Sequence, residues 1–355
     1  MGVIIAIIIF GLIVTVHEFG HFIFAKLSGI KVLEFSVGMG PKLLQKQKGE
    51  TKYSLRALPV GGYCAMEGED ATNNDPRSFR NAKLWKRMLV LVAGALMNFV
   101  LGFIMLVCLF SFLLDTVPTT TVNGFCGKRG EDDTVTYYAR SVETGLQIDD
   151  KFLYIDDTRI YSSWDIINVF ETLETNEGHK VVVKRDGKKV TLENVFFGET
   201  VENGKKIDFG VYHKNKNPLT VIKGSGELYM TMSHIVALSL KQLLTGKAKK
   251  EDVSGPVGVV SAISETAEQS KTVGDAAYSL IFLTALITIN VGIFNLLPIP
   301  GLDGGRLLFC FIELVRRKPV KPEHEGYVHL AGMILLFGIM IFATYNDIVK
   351  LVTGG

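Results

Sequence analysis

The chain has 355 residues, close to half of them apolar, with 38 Lys and Arg against 36 Asp and Glu and a formal charge of +2. A mean hydropathy of +0.28 places much of it out of water and points to the membrane class, while so small a net charge gives no reason to expect a nucleic-acid partner. The four cysteines, Cys64, Cys108, Cys126 and Cys310, form no CxxC pair, so neither a disulfide framework nor a thiolate zinc site is indicated.

From the N-terminus, the apolar run Val3–Val16 has no basic flank and no A-x-A cleavage site, and it continues past two histidines into FIFA. It reads as a retained membrane helix rather than a cleaved signal. Four stretches in all, 3–27, 88–114, 277–298 and 329–351, are long enough at about 1.5 Å per residue to cross a hydrocarbon core of about 30 Å. The loop between the first two carries Lys31, Lys42, Lys46, Lys48, Lys52, Arg80, Lys83, Lys86 and Arg87, and the one between the last two carries Arg306, Arg316, Arg317, Lys318 and Lys321. Such loops tend to stay cytoplasmic, which puts both termini and the 115–276 region on the other side.

Within the first loop, Lys31–Gly40 and Thr51–Met66 have strand content broken by Gly and Pro, with hairpin signals at Gly38, Gly40-Pro41 and Pro59 through Gly62. Further on, SSWDIINVFETLE has helical spacing with Ser163 as its cap, and VVVKRDGKKVTLENVFF reads as two strands about an Asp186-Gly187 turn. Together they predict a small mixed α/β module over 140–198. Residues 228–244 are apolar but interrupted by Thr231, Ser233, His234, Ser239 and Lys241, a mixture that suits an amphipathic helix on the membrane surface. If that segment crossed instead, the third span would run in reverse.

The chemistry concentrates in two places. In HEFGH (17–21), His17 and His21 are four apart, so on a helix they project from one face about 6 Å apart along the axis, suited to one Zn²⁺. Glu18 sits beside the metal without having to ligate it, placed to take a proton from an activated water and deliver it to a leaving amine. An accidental HExxH is the plain alternative. Ionisable groups in a helix of Ile, Val, Phe and Leu cost about 2.5–3.5 kcal/mol each when charged, which weighs for function. A third ligand is needed, and Asp303 in NLLPIPGLDGGR (295–306) is the best placed. Pro298 and Pro300 stop the helix there, and Gly301, Gly304 and Gly305 permit close backbone approach. If the first helix enters near Val3, His17 lies about 21 Å along it, toward the cytoplasmic face, where the end of the third span brings Asp303 to the same level. Asn295 is either a contact for a substrate backbone or a helix-terminal cap. Asn98, between Gly94 and Gly102 at four-residue spacing, reads as packing and interhelical hydrogen bonding.

Taken together these residues resemble the site-2 proteases, in particular the bacterial intramembrane metalloproteases of the RseP and RasP type. HEFGH matches the family's HExxH, and NLLPIPGLDGG matches its NxxPxPxLDG at every fixed position; FSVGMGP (35–41), LPVGGYCAMEGE (58–69), the AGxxxN of 93–98 and SGPVG (254–258) extend the likeness along nearly the whole chain. The resemblance implies one zinc per chain on His17, His21 and Asp303, Glu18 as general base, and Asn295, Gly61 and Gly62 as substrate-binding positions. It implies membrane-associated β-hairpins over 31–66 that hold an unwound substrate by strand addition, and a single extracytoplasmic PDZ domain over 120–215, in which Asp149 of VETGLQIDD stands where Gly is common.

The expected architecture is a polytopic α-helical membrane protein with four transmembrane helices and an inserted mixed α/β PDZ-like domain. Its parts are a first transmembrane helix over 1–27, a cytoplasmic-side loop with β-hairpins over 28–87, a second helix over 88–114 and the PDZ-like domain over 115–215. A surface amphipathic segment over 216–276, a third helix with the LDG loop over 277–305, a cytoplasmic loop over 306–328 and a fourth helix over 329–351 complete it. The expected activity is zinc-dependent cleavage of a single-pass protein's transmembrane segment within the bacterial plasma membrane, with anti-sigma factors and remnant signal peptides as the substrate class and the active site toward the cytoplasm. The competing expectation from another class is an inactive membrane-anchored PDZ adaptor with a structural zinc; a metal transporter would need more ionisable residues in the second and fourth spans than those spans hold.

Overall fold

A computed structural model describes residues 2–69, 75–129, 135–199, 206–246 and 255–353; Ser254 of the SGPVG stretch lies outside them. The chain divides into two compact units, one formed by 1–105 with 236–355 and the other by 106–235.

The first unit begins with α1 (Gly2–Leu27), which ends where Gly29 turns left-handed at φ +77° and the Ile30 amide reaches back to the Ala25 carbonyl. A helix of that length spans about 39 Å. It is followed by β1 (Val32–Lys48) and β2 (Thr51–Met66), both long and both folded on themselves. Residues 42–48 pair antiparallel with 51–56 through a tight turn at Gly49 and Glu50. Residues 34–37 pair on one side with 52–55 and on the other with 62–65. In the first of those pairings the residue numbers rise in step, from Glu34↔Lys52 to Val37↔Leu55, so these two segments run in the same direction. Gly38, Gly40 and Gly61, all near φ +83°, sit where the strands bend. The glycine signals in the sequence therefore mark bends, and the hairpin turn itself falls at Gly49.

The other long helices of this unit are α2 (Leu84–Cys108), α7 (Val273–Asn295) and α9 (Pro322–Thr353). With α1, they supply, among the described residues, four helices long and apolar enough to cross a membrane: Gly2–Leu27, Leu84–Leu113, Val273–Asn295 and Glu323–Lys350. The second of these runs on through a π-helical turn, Leu109–Leu113, into the other unit. Ala6, Ile9 and Ile13 of α1, Leu101 of α2 and Ile263 of α6 (Pro256–Gln269) form one core, against which Leu280, Leu283 and Ile287 of α7 pack. The stretch 306–328, expected as a loop, is largely helical, because α8 (Asp303–Arg316) begins at the aspartate itself.

The second unit is a sheet in the order β10-β3-β6-β8-β9, with a short β7 beside β6. Its strands are β3 (Thr116–Phe125), β6 (Lys151–Ile155), β7 (Thr158–Arg159), β8 (His179–Arg185), β9 (Lys188–Val195) and β10 (Phe209–Asn215). The separate pair β4 (Gly127–Arg129) and β5 (Val135–Tyr137) and the short helix α3 (Arg140–Glu143) complete the strand-rich part. Asp186 and Gly187 make the expected turn, both with positive φ. Asp149 is left-handed at φ 70°, which explains why glycine suits that position. The cap of α4 (Ser163–Thr172) is Ser162 rather than Ser163: its hydroxyl accepts from the helix start while Asp165 reaches back to the cap amide. Phe152, Phe170, Phe197 and Phe209 centre the core. The segment 228–244 lies within one helix, α5 (Pro218–Leu244).

Candidate metal centre

His17 and His21 stand one turn apart on α1, both buried, and their rings meet edge to face with centroids 4.8 Å apart. Asp303, almost three hundred residues later, completes the cluster. His17 Nε2 lies 3.0 Å and His21 Nε2 3.2 Å from Asp303 Oδ2, and the two ring nitrogens are 3.2 Å apart. A tetrahedral zinc with bonds of about 2.0–2.1 Å keeps its ligand atoms about 3.3 Å apart, so the triangle has the right size. Among the described residues this is the one set of three His, Cys, Asp or Glu groups that could hold a metal.

The outer contacts of the two rings decide whether their inner nitrogens carry lone pairs. His21 Nδ1 is 2.8 Å from the Val90 carbonyl, which can only accept, so Nδ1 carries the proton and Nε2 faces the centre bare. His17 Nδ1 is 3.4 Å from the Asn98 side-chain amide nitrogen, while Asn98 Oδ1 is buried with no partner. A half-turn of that amide gives Oδ1 the Nδ1–H of His17 and leaves His17 Nε2 bare as well. Three lone pairs then converge on one buried point, an arrangement that needs a cation. The residues present therefore fit zinc.

Local structure explains why the set forms. A Cβ on Gly94 of α2 would collide with His21 Nε2 and come within 2.7 Å of His17 Cε1, so only glycine lets α2 lie against both rings. Gly20 meets the Ala93 backbone in the same way. On the other side, α7 stops at Asn295 and the chain runs irregularly through Pro298 and Pro300 before α8 starts at Asp303. A Cβ on Gly304 would strike the Leu296 and Leu297 carbonyls, and one on Gly305 would lie 2.5 Å from the Ile299 carbonyl oxygen. These two glycines allow α8 to fold back on the broken stretch and hold Asp303 inward. Arg306, next on α8, is ion-paired with Glu69 beyond the end of β2.

Glu18 is half-buried beside this cluster, with His21, His17 and Asp303 as its neighbours and the Cys64 backbone amide as a donor. Gly62 of β2 is also close: a Cβ there would lie 3.7 Å from Glu18 Cγ and 2.8 Å from the Ser36 carbonyl oxygen. Residues 62–66 pair with β1 on one side, and among the described residues no strand takes the other edge. Gly61 is buried at the bend before it. Asn295 is half-buried as the last residue of α7, eight positions before Asp303. In the sequence alone Asn98 and Gly94 read as helix packing; their four-residue spacing, equal to that of the histidines they meet, is the sign that they lie at this cluster.

A family model described as peptidase family M50 matches residues 5–339. The chain belongs to peptidase family M50, the site-2 proteases. Relatives of this M50 chain agree along its length. A Clostridium acetobutylicum protein assigned as a candidate zinc metalloprotease is 35% identical, covering 98% of this chain and 97% of its own. The zinc metalloprotease RasP of Bacillus licheniformis is 30% identical over 97% of this chain and 98% of its own. The regulator of sigma-W protease RasP of Bacillus subtilis is 29% identical over 97% of each. The M50 chain is accordingly a zinc metalloprotease by class, and its four long apolar helices are those of a membrane protein.

Proposed function

We propose that this M50 protein is an intramembrane endopeptidase that holds one zinc ion through His17, His21 and Asp303 and uses Glu18 as its general base. The observation that carries the reading is the convergence of two imidazole nitrogens and one carboxylate oxygen within 3.2 Å of one another, with both imidazoles on the largely apolar helix α1. Bound zinc supplies Lewis acidity, which makes water a nucleophile near neutral pH and polarises a peptide carbonyl. The protein's own groups do the rest. Val90 and Asn98 orient the rings, and Glu18 accepts the proton of the attacking water and passes it to the leaving amine.

A helical substrate hides its peptide bonds, so it must be extended before cleavage. The edge of residues 62–66 that no described strand takes, next to Gly61 and Gly62, can accept such a segment as an added strand beside Glu18, and the Asn295 amide can bind its backbone. The substrate class is the transmembrane segment of a single-pass membrane protein, with anti-sigma factors and remnant signal peptides as its members. The second unit has the strand content of a PDZ-like module, read as lying outside the cytoplasm together with both termini, with the catalytic centre toward the cytoplasmic face. The excess of Lys and Arg in the first and third connections supports that orientation.

The test is reconstitution of the purified protein in vesicles with a panel of tagged transmembrane helices. Cleavage that stops with a zinc chelator and in Glu18→Gln is expected. Cleavage by Glu18→Gln at the parent rate would favour an inactive-adaptor reading of this site, with another enzyme responsible.

A further inference from the structure

The irregular stretch before Asp303 must hold its carboxylate at one height against the two histidines, yet Pro298 and Pro300 leave it few backbone donors. The Ile299 and Leu302 amides bond within the stretch, to the Leu297 and Ile299 carbonyls. The Gly301 amide points outward and donates to His329 Nδ1 on α9, at 2.9 Å. Gly301 is left-handed at φ +98°, so a side chain here would be strained and would press on Met333 and Leu336. A Cβ on Gly332 would collide with the Pro300 carbonyl oxygen. Residues 329, 332, 333 and 336 thus form one face of α9, and that face lies directly on Pro300 and Gly301.

His329 is itself held. Its ring lies 5.6 Å from that of Phe309 on α8, and its Nε2 is 3.9 Å from Glu325 Oε1, one turn earlier on α9. Glu325, 8% exposed, is fixed in turn by Arg80 at 3.0 Å. An imidazole that accepts an amide proton at Nδ1 carries its own proton at Nε2, on the side of Glu325. Arg80, Glu325, His329 and the Gly301 amide therefore form a line of contacts ending two residues from Asp303.

We infer that His329 is a positioning residue for Asp303, holding the Gly301 amide so that the carboxylate meets the zinc position in register with His17 and His21. It touches neither substrate nor metal. The inference rests on the zinc assignment above, and it adds a fixed anchor on the fourth long helix that is absent from both sequence motifs.

The test is zinc affinity of the purified full-length protein in detergent, measured by competition with a chromogenic chelator, alongside its unfolding temperature. Asp303→Ala is expected to lose zinc, which checks the assignment on its own. His329→Phe keeps the ring volume beside Phe309 but has no acceptor, and zinc affinity is expected to fall roughly tenfold, as for outer-sphere partners. His329→Leu gives a second acceptor-free variant should the first fold poorly. His329→Asn places an amide oxygen where Nδ1 stands and is expected to bind zinc close to the parent level. Parental affinity in the folded acceptor-free variants, or equal losses in the Asn and Phe variants, would overturn the inference. Undiminished zinc in Asp303→Ala would instead overturn the metal assignment, and the inference with it.

Discussion

Asn98 of α2 and His17 of α1 meet at 3.4 Å between Asn98 Nδ2 and His17 Nδ1, inside the contact of two apolar helices. Asn98 is fully buried, so its amide has no water to turn to and its orientation sets the tautomer of the ring. Asn98→Leu removes that control, and zinc affinity and peptidase activity are expected to fall between about tenfold and a hundredfold. Asn98→Asp keeps an acceptor and is expected to retain zinc. Chelator competition on the two variants checks this.

Gly94→Ala places a methyl group against both histidine rings. The rings must shift or α2 must withdraw, and displacement of the order of 1 Å costs about a hundredfold in rate. Loss of cleavage with helix content unchanged by circular dichroism is the expected outcome. Gly226→Ala, where a Cβ meets nothing nearby, is the matched control and should cleave normally.

Glu34 gives the β1–β2 sheet a pH dependence. Burial opposes its ionisation, but hydrogen bonds from Ser54, Tyr63 and Arg56 outweigh this and hold the carboxyl down at about 2. Its folded value is then below the unfolded one of about 4.3, so it contributes stability above that pH and loses it as the pH falls toward about 2. The same Arg56 also donates to the Ser36 hydroxyl and the Gly40 carbonyl, so the sheet's bends depend on this group of contacts. Unfolding temperature should fall more steeply over that acid range in the parent than in Glu34→Gln.

Asp347 near the end of α9 accepts from the Gly255 amide at 3.1 Å and the Gly258 amide at 2.7 Å, at the start of α6. It is 3% exposed, so Asp347→Ala leaves two donors of the first turn without their partner and should destabilise by about 3 kcal/mol. Thermal unfolding in detergent measures it, and Asp347→Asn, which keeps one acceptor, should lose less.

What the sequence made legible follows from period and composition. The four long apolar helices were readable because an apolar helix in lipid needs no partner to be recognised; their C-terminal ends fall within three residues of the expected ones, and the fourth starts six residues earlier than expected, at Glu323. HEFGH was readable because charge in such a helix demands a reason, and Asp303 because it directly follows an apolar helix broken off at Pro298 and Pro300. Other features depended on contacts between distant segments, which period does not encode. These include the Asn98 and Val90 contacts to the histidines, the step of residues 34–37 between two parts of β2, and the His329 contact to Gly301. Ser162 displaced Ser163 as the α4 cap because the capping box requires its partner, Asp165, three residues on.

The central claim is that one zinc ion is bound by His17, His21 and Asp303. X-ray absorption at the zinc edge of the purified protein tests it most directly. Only nitrogen and oxygen neighbours at about 2.0–2.2 Å are expected, with the imidazole signal lost in the His17→Ala, His21→Ala double variant. Sulfur neighbours at about 2.3 Å, or an unchanged spectrum in that double variant, would contradict it.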